Sequence, residues 1–178
     1  FTFFKAMGLS IGDSICDVEM IDNAKYFLKA CEEKAIQVHL PKDLVVTDDE
    51  DIQMTLSKDG IKDGWKGMDI GPQTVEEWTP LLSKGATIFW NGPLGYVEKS
   101  PFDNGTIKIS KAIASSQAYS VVGGGDTIPI IESLKLQNKL SKTAAEAAKE
   151  HKQHEKDLKR ISAMSNSDVA ALFSESFK

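Results

Sequence analysis

Three short runs along this chain carry residue types whose spacing could do chemistry. In the run AYSVVGGGDT, Gly123, Gly124 and Gly125 stand between a β-rich stretch and Ile128, Ile131 and Leu134, which continue at helical spacing. Glycines let the backbone approach an oxygen-rich ligand closely, and free N–H groups at a helix start attract its negative charge. A phosphate fits that description. Asp126 would repel a phosphate unless a divalent cation stood between them, and magnesium is that cation in most nucleotide sites. The same residues also suit a plainer role, a tight turn in which Asp126 or Thr127 caps the following helix through its side-chain oxygen.

The second run is ATIFWNGPLGYVE, an apolar stretch that stops at Asn91, Gly92 and Pro93, with Gly95 soon after. Asn91 offers donor and acceptor groups, Pro93 a rigid apolar face, and Glu98 two acceptors for a vicinal diol such as a ribose. Turn chemistry followed by a surface glutamate is the alternative. Trp90 reads as core. The third run, GWKGMDIGPQT, has Pro72 where a first helical turn tolerates a missing N–H. Asp69 there reads as a structural carboxylate that holds the loop or a helix end.

Other chemistries find little support. His39 sits in an extended apolar run and reads as a half-buried, hydrogen-bonded histidine. His151 and His154 are three apart on a polar segment without accompanying Cys or carboxylate ligands, and read as solvent-facing. No nucleophile elbow, zinc-protease motif or Cys/His pair is present. Cys16 and Cys31 lack CxxC spacing and read as free thiols in a reducing compartment. A formal net charge of -5 argues against a nucleic-acid partner. No apolar run approaches the roughly 18 residues of a membrane span, so the expectation is a cytoplasmic protein without a membrane partner.

Elements must position these runs. At 178 residues, 41% hydrophobic and 26% charged, the chain suits one globular domain. Short β-rich runs at Gln37–Leu40, Leu44–Thr47, Gly67–Ile70, Thr87–Trp90 and Tyr119–Val122 alternate with helical patterns at Asp17–Ala35, Thr74–Ser83, Asn104–Ser116 and Asp126–Leu136. That alternation predicts an α/β fold, a three-layer Rossmann-like parallel sheet with helices on both faces. In Asp17–Ala35, Met20, Ala24, Phe27, Leu28 and Cys31 share a face that should cover the sheet. The acidic stretch after Thr47 reads as an exposed connection, with a short strand as an option. In such sheets ligands bind at the carboxyl ends of the strands.

The ends differ in character. Phe1 opens a stretch that looks like the inside of a packed element, which suggests sequence upstream. After Leu140 the chain turns polar, and Ser141–Arg160 reads as a solvated helix with Lys142/Glu146 and Glu155/Lys159 at i,i+4 spacing. Residues 1–140 are therefore expected to form one domain and 141–178 a polar helical tail.

In order along the chain, FTFFKAMGLSIGDSICD, GWKGMDIGPQT, FWNGPLGYVE and VVGGGDT resemble the C-terminal, nucleotide-binding domain of the phosphoglycerate kinases over residues 1–140. The resemblance implies a domain that holds ADP or ATP with Mg2+ for reversible phosphoryl transfer between 1,3-bisphosphoglycerate and ADP in glycolysis. It implies that Gly123, Gly124, Gly125, Asp126 and Thr127 form the phosphate loop, with Asp126 the magnesium-linked carboxylate. Asn91 and Pro93 would be phosphate-side and ribose-side contacts, Glu98 the ribose ligand and Ile15 an apolar wall of the adenine pocket. It names no residue that attacks the substrate, because positioning and charge neutralisation do the chemistry.

The departures from that pattern matter too. The family's upstream glycine-rich and lysine-bearing segments are not in this sequence, and its phosphoglycerate is held by a separate N-terminal domain. After Leu140 the family continues with a strand and an STGGGAS loop, where this chain reads SKTAAEAAKEHKQHEK. The expectation is a monomeric chain, inactive alone, that reaches phosphoglycerate only through the missing domain. The alternatives are a non-catalytic nucleotide-binding module or remnant, and an α/β domain that binds no nucleotide.

Overall fold

The computed structural model describes residues 1–143 together with Glu146, Lys149, Lys152 and Lys156. The run Asp43–Thr47 forms the first strand, β1, and the acidic stretch behind it folds straight back. Asp48 Oδ1 accepts hydrogen bonds from the Glu50 and Asp51 amides at 3.2 and 2.8 Å, and Asp49 takes a φ of 80°. A connection this short can only return antiparallel. Strand β2 (Ile52–Leu56) accordingly pairs with β1, Thr47 opposite Ile52 and Asp43 opposite Leu56. Strand β3 (Lys66–Ile70) lies antiparallel on the other edge of β1, giving the order β2-β1-β3.

The second sheet is the one the alternating pattern predicts. Strands β4 (Thr87–Asn91), β5 (Tyr119–Gly123) and β6 (Lys142–Thr143) are parallel and lie in the order β4-β5-β6. Parallel neighbours need crossover connections, and helices provide them: α4 (Asn104–Ser115) joins β4 to β5, and α5 (Thr127–Ser133) joins β5 to β6. Ahead of them in the chain lie α1 (Thr2–Ala6), α2 (Ile21–Glu33) and α3 (Pro72–Lys84). Ile88 and Trp90 on β4, Val122 on β5, Ile109 and Ile113 on α4 and Ile131 on α5 form one core, with Val75, Trp78 and Leu82 of α3 packed against it. Each buried Val or Ile side chain among them contributes about 1.5–3 kcal/mol. A second core gathers Phe4, Ile11, Leu44, Val46, Ile61 and Trp65 around the antiparallel sheet.

The fold is α/β, but the single three-layer parallel sheet needs correction. Leu44–Thr47 and Gly67–Ile70 belong to the antiparallel sheet. One face of β4 is uncovered among the described residues, with Phe89 69% exposed. Gln37–Leu40 is not a strand, and His39 is exposed rather than half-buried. The helix expected from Asp17 begins as a 3-10 turn at Val18–Met20 and is α-helical only from Ile21. Its apolar stripe is partly open: Ala24 and Cys31 are buried, but Met20 and Phe27 are exposed, and the Phe27 ring meets Phe3 of α1 edge-on rather than the sheet. The segment expected to be helical from Ser141 instead places Lys142–Thr143 in β6; Glu146, Lys149, Lys152 and Lys156 are helical, and the rest, with His151 and His154, lies outside the described residues.

Two buried carboxylates join the antiparallel sheet to helices of the parallel half. Asp43, at the start of β1, accepts the Thr74 and Gln73 amides at 2.8 and 3.0 Å and the Thr74 hydroxyl at 2.7 Å. That satisfies orphan N–H groups in the first turn of α3 and opposes its dipole with negative charge. Pro72 occupies the start of this helix, as its missing N–H allows. Asp69, at the end of β3, does the equivalent for α4: the Gly105 amide donates to its Oδ2 at 2.7 Å. This is the helix-holding role its sequence context suggests.

Candidate functional site

Because β4 and β5 run parallel and in register, Asn91 and Gly123 sit opposite one another at the carboxyl ends of the two strands. The loops that leave them are bound together. Gly92 and Gly124 take φ values of 90° and 92°, which L side chains rarely adopt. The Gly92 amide donates to Thr127 Oγ1 at 3.1 Å, and Trp90 Nε1 donates to the Gly92 carbonyl at 2.7 Å. Thr127 is fully buried beneath this junction, whereas Gly124, Gly125 and Asp126 are exposed above it. Asp126 precedes α5 without any side-chain hydrogen bond to the helix, so the capping alternative is not the arrangement it adopts. Its carboxylate stays available to solvent.

The rest of the loop from Asn91 to Glu98 is fixed from below. Thr106, fully buried in the first turn of α4, accepts the Leu94 and Gly95 amides on its Oγ1 at 3.0 and 3.3 Å. The Tyr96 amide donates to the Met68 carbonyl of β3 at 2.8 Å. Gly95 lies so close to Asp69 that a Cβ there would collide with the Asp69 carboxylate and the Phe102 carbonyl. Asp69 is 3% exposed and accepts the Ile70 amide at 2.8 Å besides that of Gly105. Burial, with a smaller push from Asp103, raises its pKa to about 6, against the pull of those two amides and of Lys108.

The structure thus brings Asn91, Gly123, Gly124 and Thr127 together. Pro93 lies next in the same loop and Glu98 at its exposed far end. Ile15 is 93% exposed and stands on a segment tied to β3, where Ser14 Oγ accepts the Gly67 amide at 2.8 Å. Trp90 is core, as its sequence context suggests. Thr106 carries no local sequence signal, because its contact with Gly95 spans 11 residues. Hollows of about 520 and 550 Å³ lie elsewhere, beside Trp65 and beside Phe4.

The geometry suits a phosphorylated ligand. A Cβ at Gly124 would come 3.1–3.2 Å from Thr127 Oγ1, Asn91 Oδ1 and the Gly92 amide, while one at Gly125 would meet nothing within 4 Å. Among the described residues no group of three or more His, Cys, Asp or Glu side chains is arranged to hold a metal ion. A lone carboxylate such as Asp126 fits magnesium, which keeps several waters and takes further ligands from substrate phosphates.

The family described as phosphoglycerate kinase matches residues 1–148. The chain belongs to the phosphoglycerate kinase family. It is 38% identical over 143 residues to phosphoglycerate kinase from Coxiella burnetii, covering 79% of this chain and 37% of that protein. With the enzyme from Campylobacter fetus the identity is 42% over 135 residues, covering 74% and 34%. The solved structure of phosphoglycerate kinase from Coxiella burnetii superposes with a TM-score of 0.77 at 35% identity, covering 80% of this chain and 38% of that one. That of Pyrococcus horikoshii gives 0.66 at 28% identity, covering 80% and 36%. The chain therefore spans little more than a third of the length of these phosphoglycerate kinases. The family match runs through both loops and β6. No helix among the described residues is long and apolar enough to cross a membrane.

Proposed function

We propose that this chain is the nucleotide-binding part of a phosphoglycerate kinase and takes ADP or ATP with magnesium in the cleft between Asn91–Glu98 and Gly123–Thr127. The observation that carries the reading is the pairing of Asn91 with Gly123 and the Gly92–Thr127 hydrogen bond, which place two glycine-bearing loops side by side at the ends of parallel strands. The backbone of Gly124 and Gly125 lies against the phosphates, and Asn91 supplies a side-chain donor. Asp126 holds the magnesium ion, which when bound neutralises phosphate charge. Pro93 and Glu98 take the ribose side and Ile15 the adenine side.

In the full-length protein the reaction is reversible phosphoryl transfer between 1,3-bisphosphoglycerate and ADP, the glycolytic and cytoplasmic role of the family. The chain acts as a monomer, without nucleic-acid or membrane partners. Its contribution is to bind and orient one reactant. Planar bidentate donors for an acyl phosphate and a carboxylate are scarce in it, since its one arginine is Arg160. In-line transfer needs both reactants held and their charge screened, and loss of one preorganised donor costs about 10²–10³ in rate. The uncovered face of β4 at Phe89 is where the longer protein would complete a third layer.

Calorimetry with MgADP tests the binding, and a coupled assay with 1,3-bisphosphoglycerate tests the division of labour. Saturable magnesium-dependent binding without turnover is expected. Absence of MgADP binding would leave only the fold, and turnover by the chain alone would show that it holds both reactants.

A further inference from the structure

The side of the Asn91–Glu98 loop away from the glycine turn rests on one acidic residue that sequence reasoning left as purely structural. Asp69 Oδ2 takes the Gly105 amide at the first turn of α4, and Oδ1 takes the Ile70 amide at the end of β3. The same carboxylate fills the space that a Cβ on Gly95 would need. On either side of it the loop is hung from the two elements the carboxylate joins: from α4 by Thr106 Oγ1 and from β3 by the Met68 carbonyl.

We infer that Asp69 is a positioning residue for the Asn91–Glu98 loop, fixing its height over β3 and α4 and thereby the placement of Pro93 and Glu98. Asp69 touches no ligand in this scheme. Its ionised form accepts both amides as charge-assisted bonds; protonation leaves the hydroxyl oxygen a weaker acceptor with one fewer lone pair, so the bond from one amide is weakened. The loop then follows the movement of the first turn of α4, because Gly95 has no side chain to keep it away. The charged groups facing Asp69 are Asp103 and Lys108, both on the α4 side. Asp103 favours the protonated form and Lys108 the ionised one, and the carboxyl titrates at about pH 6. Loop geometry is accordingly set near neutral pH and relaxes in mild acid. The consequence for nucleotide affinity rests on the reading of the loop given above; the seating of the loop does not.

The test uses the 178-residue chain, isotopically labelled, with amide shifts followed across that titration in the parent and in Asp69→Asn. The Leu94, Gly95 and Tyr96 amides are expected to titrate together with Gly105 around pH 6 in the parent and to be flat in the variant. MgADP affinity should be about ten-fold weaker in Asp69→Asn than in the parent at neutral pH, the scale of one lost charge-assisted bond, with the gap closing in mild acid. Titration of the nucleotide itself is common to both proteins and drops out of that ratio. If Gly105 titrates while Leu94, Gly95 and Tyr96 stay still, Asp69 is only a helix cap and the inference is overturned. If the loop amides titrate but the parent binds no MgADP, Asp69 positions the loop and the nucleotide reading fails instead. Should Asp69→Asn not fold, the parent's amide titration decides alone.

Discussion

The Gly92 amide and Thr127 Oγ1 lie 35 residues apart in sequence and 3.1 Å apart in space. Through this bond the turn after β4 is tied to the turn after β5. Thr127→Val keeps the shape and removes the acceptor, which leaves a poorly solvated amide without its partner. A loss of about 1–3 kcal/mol in unfolding free energy is expected from urea titration. MgADP affinity should fall with it, since Asn91 and Gly124 lose their fixed separation. Unchanged stability would mean that the bond is not formed in solution.

Gly124→Val is the sharper perturbation. At a φ of 92° a valine is strained, and its Cβ would sit against Thr127 Oγ1, Asn91 Oδ1 and the Gly92 amide. Strain of this kind costs about 1–3 kcal/mol. Calorimetry should show MgADP affinity reduced at least about ten-fold, because the phosphate approach is blocked as well as the turn distorted. Retained affinity in a folded variant would remove the glycine turn from the site.

Asp126 is exposed and makes no bond to α5, so its substitution should be cheap for the fold and informative for binding. With magnesium present the carboxylate helps bind nucleotide; with the ion chelated it repels phosphate. Asp126→Asn is therefore expected to weaken ADP binding in magnesium and to strengthen it in chelator. Equal losses under both conditions would exclude a metal-linked role.

Asp69 also makes a prediction about stability. In the folded chain its carboxyl keeps a proton up to about pH 6, whereas in the unfolded chain it releases it near the ordinary carboxylate value of about 3.9. Between these values the folded state binds the extra proton, so raising pH through the window lowers stability. The contribution is fully present below about pH 4 and gone above about pH 6. Urea midpoints of the parent should fall relative to those of Asp69→Asn as pH rises across that range. A difference that grows with pH would show that the two amide bonds outweigh burial.

Much of this was legible in the sequence, and the failures have physical causes. The strands ending at Asn91 and Gly123, the helix between them and the glycine turn follow from local period and turn chemistry, and they are found within a residue or two. The signal for antiparallel pairing of Leu44–Thr47 lies in Asp48–Asp51, whose side-chain and backbone bonds make a tight hairpin reversal. Gln37–Leu40 has a strand-like composition but no neighbouring strand among the described residues, and composition alone does not supply one. Thr106 holds the loop through contacts 11 and 12 residues away, which no local pattern encodes.

Asp43 and Asp69 each stand on the antiparallel sheet while holding the first turn of a helix that packs on the parallel one. Neither half can therefore open without stripping a buried carboxylate of its amides or a helix of its cap. That makes residues 1–143 one cooperative unit rather than two loosely joined lobes. Damage at β1 or β3 is transmitted to the helices framing the cleft, and hydrogen exchange in β1 and β5 should report a common opening free energy.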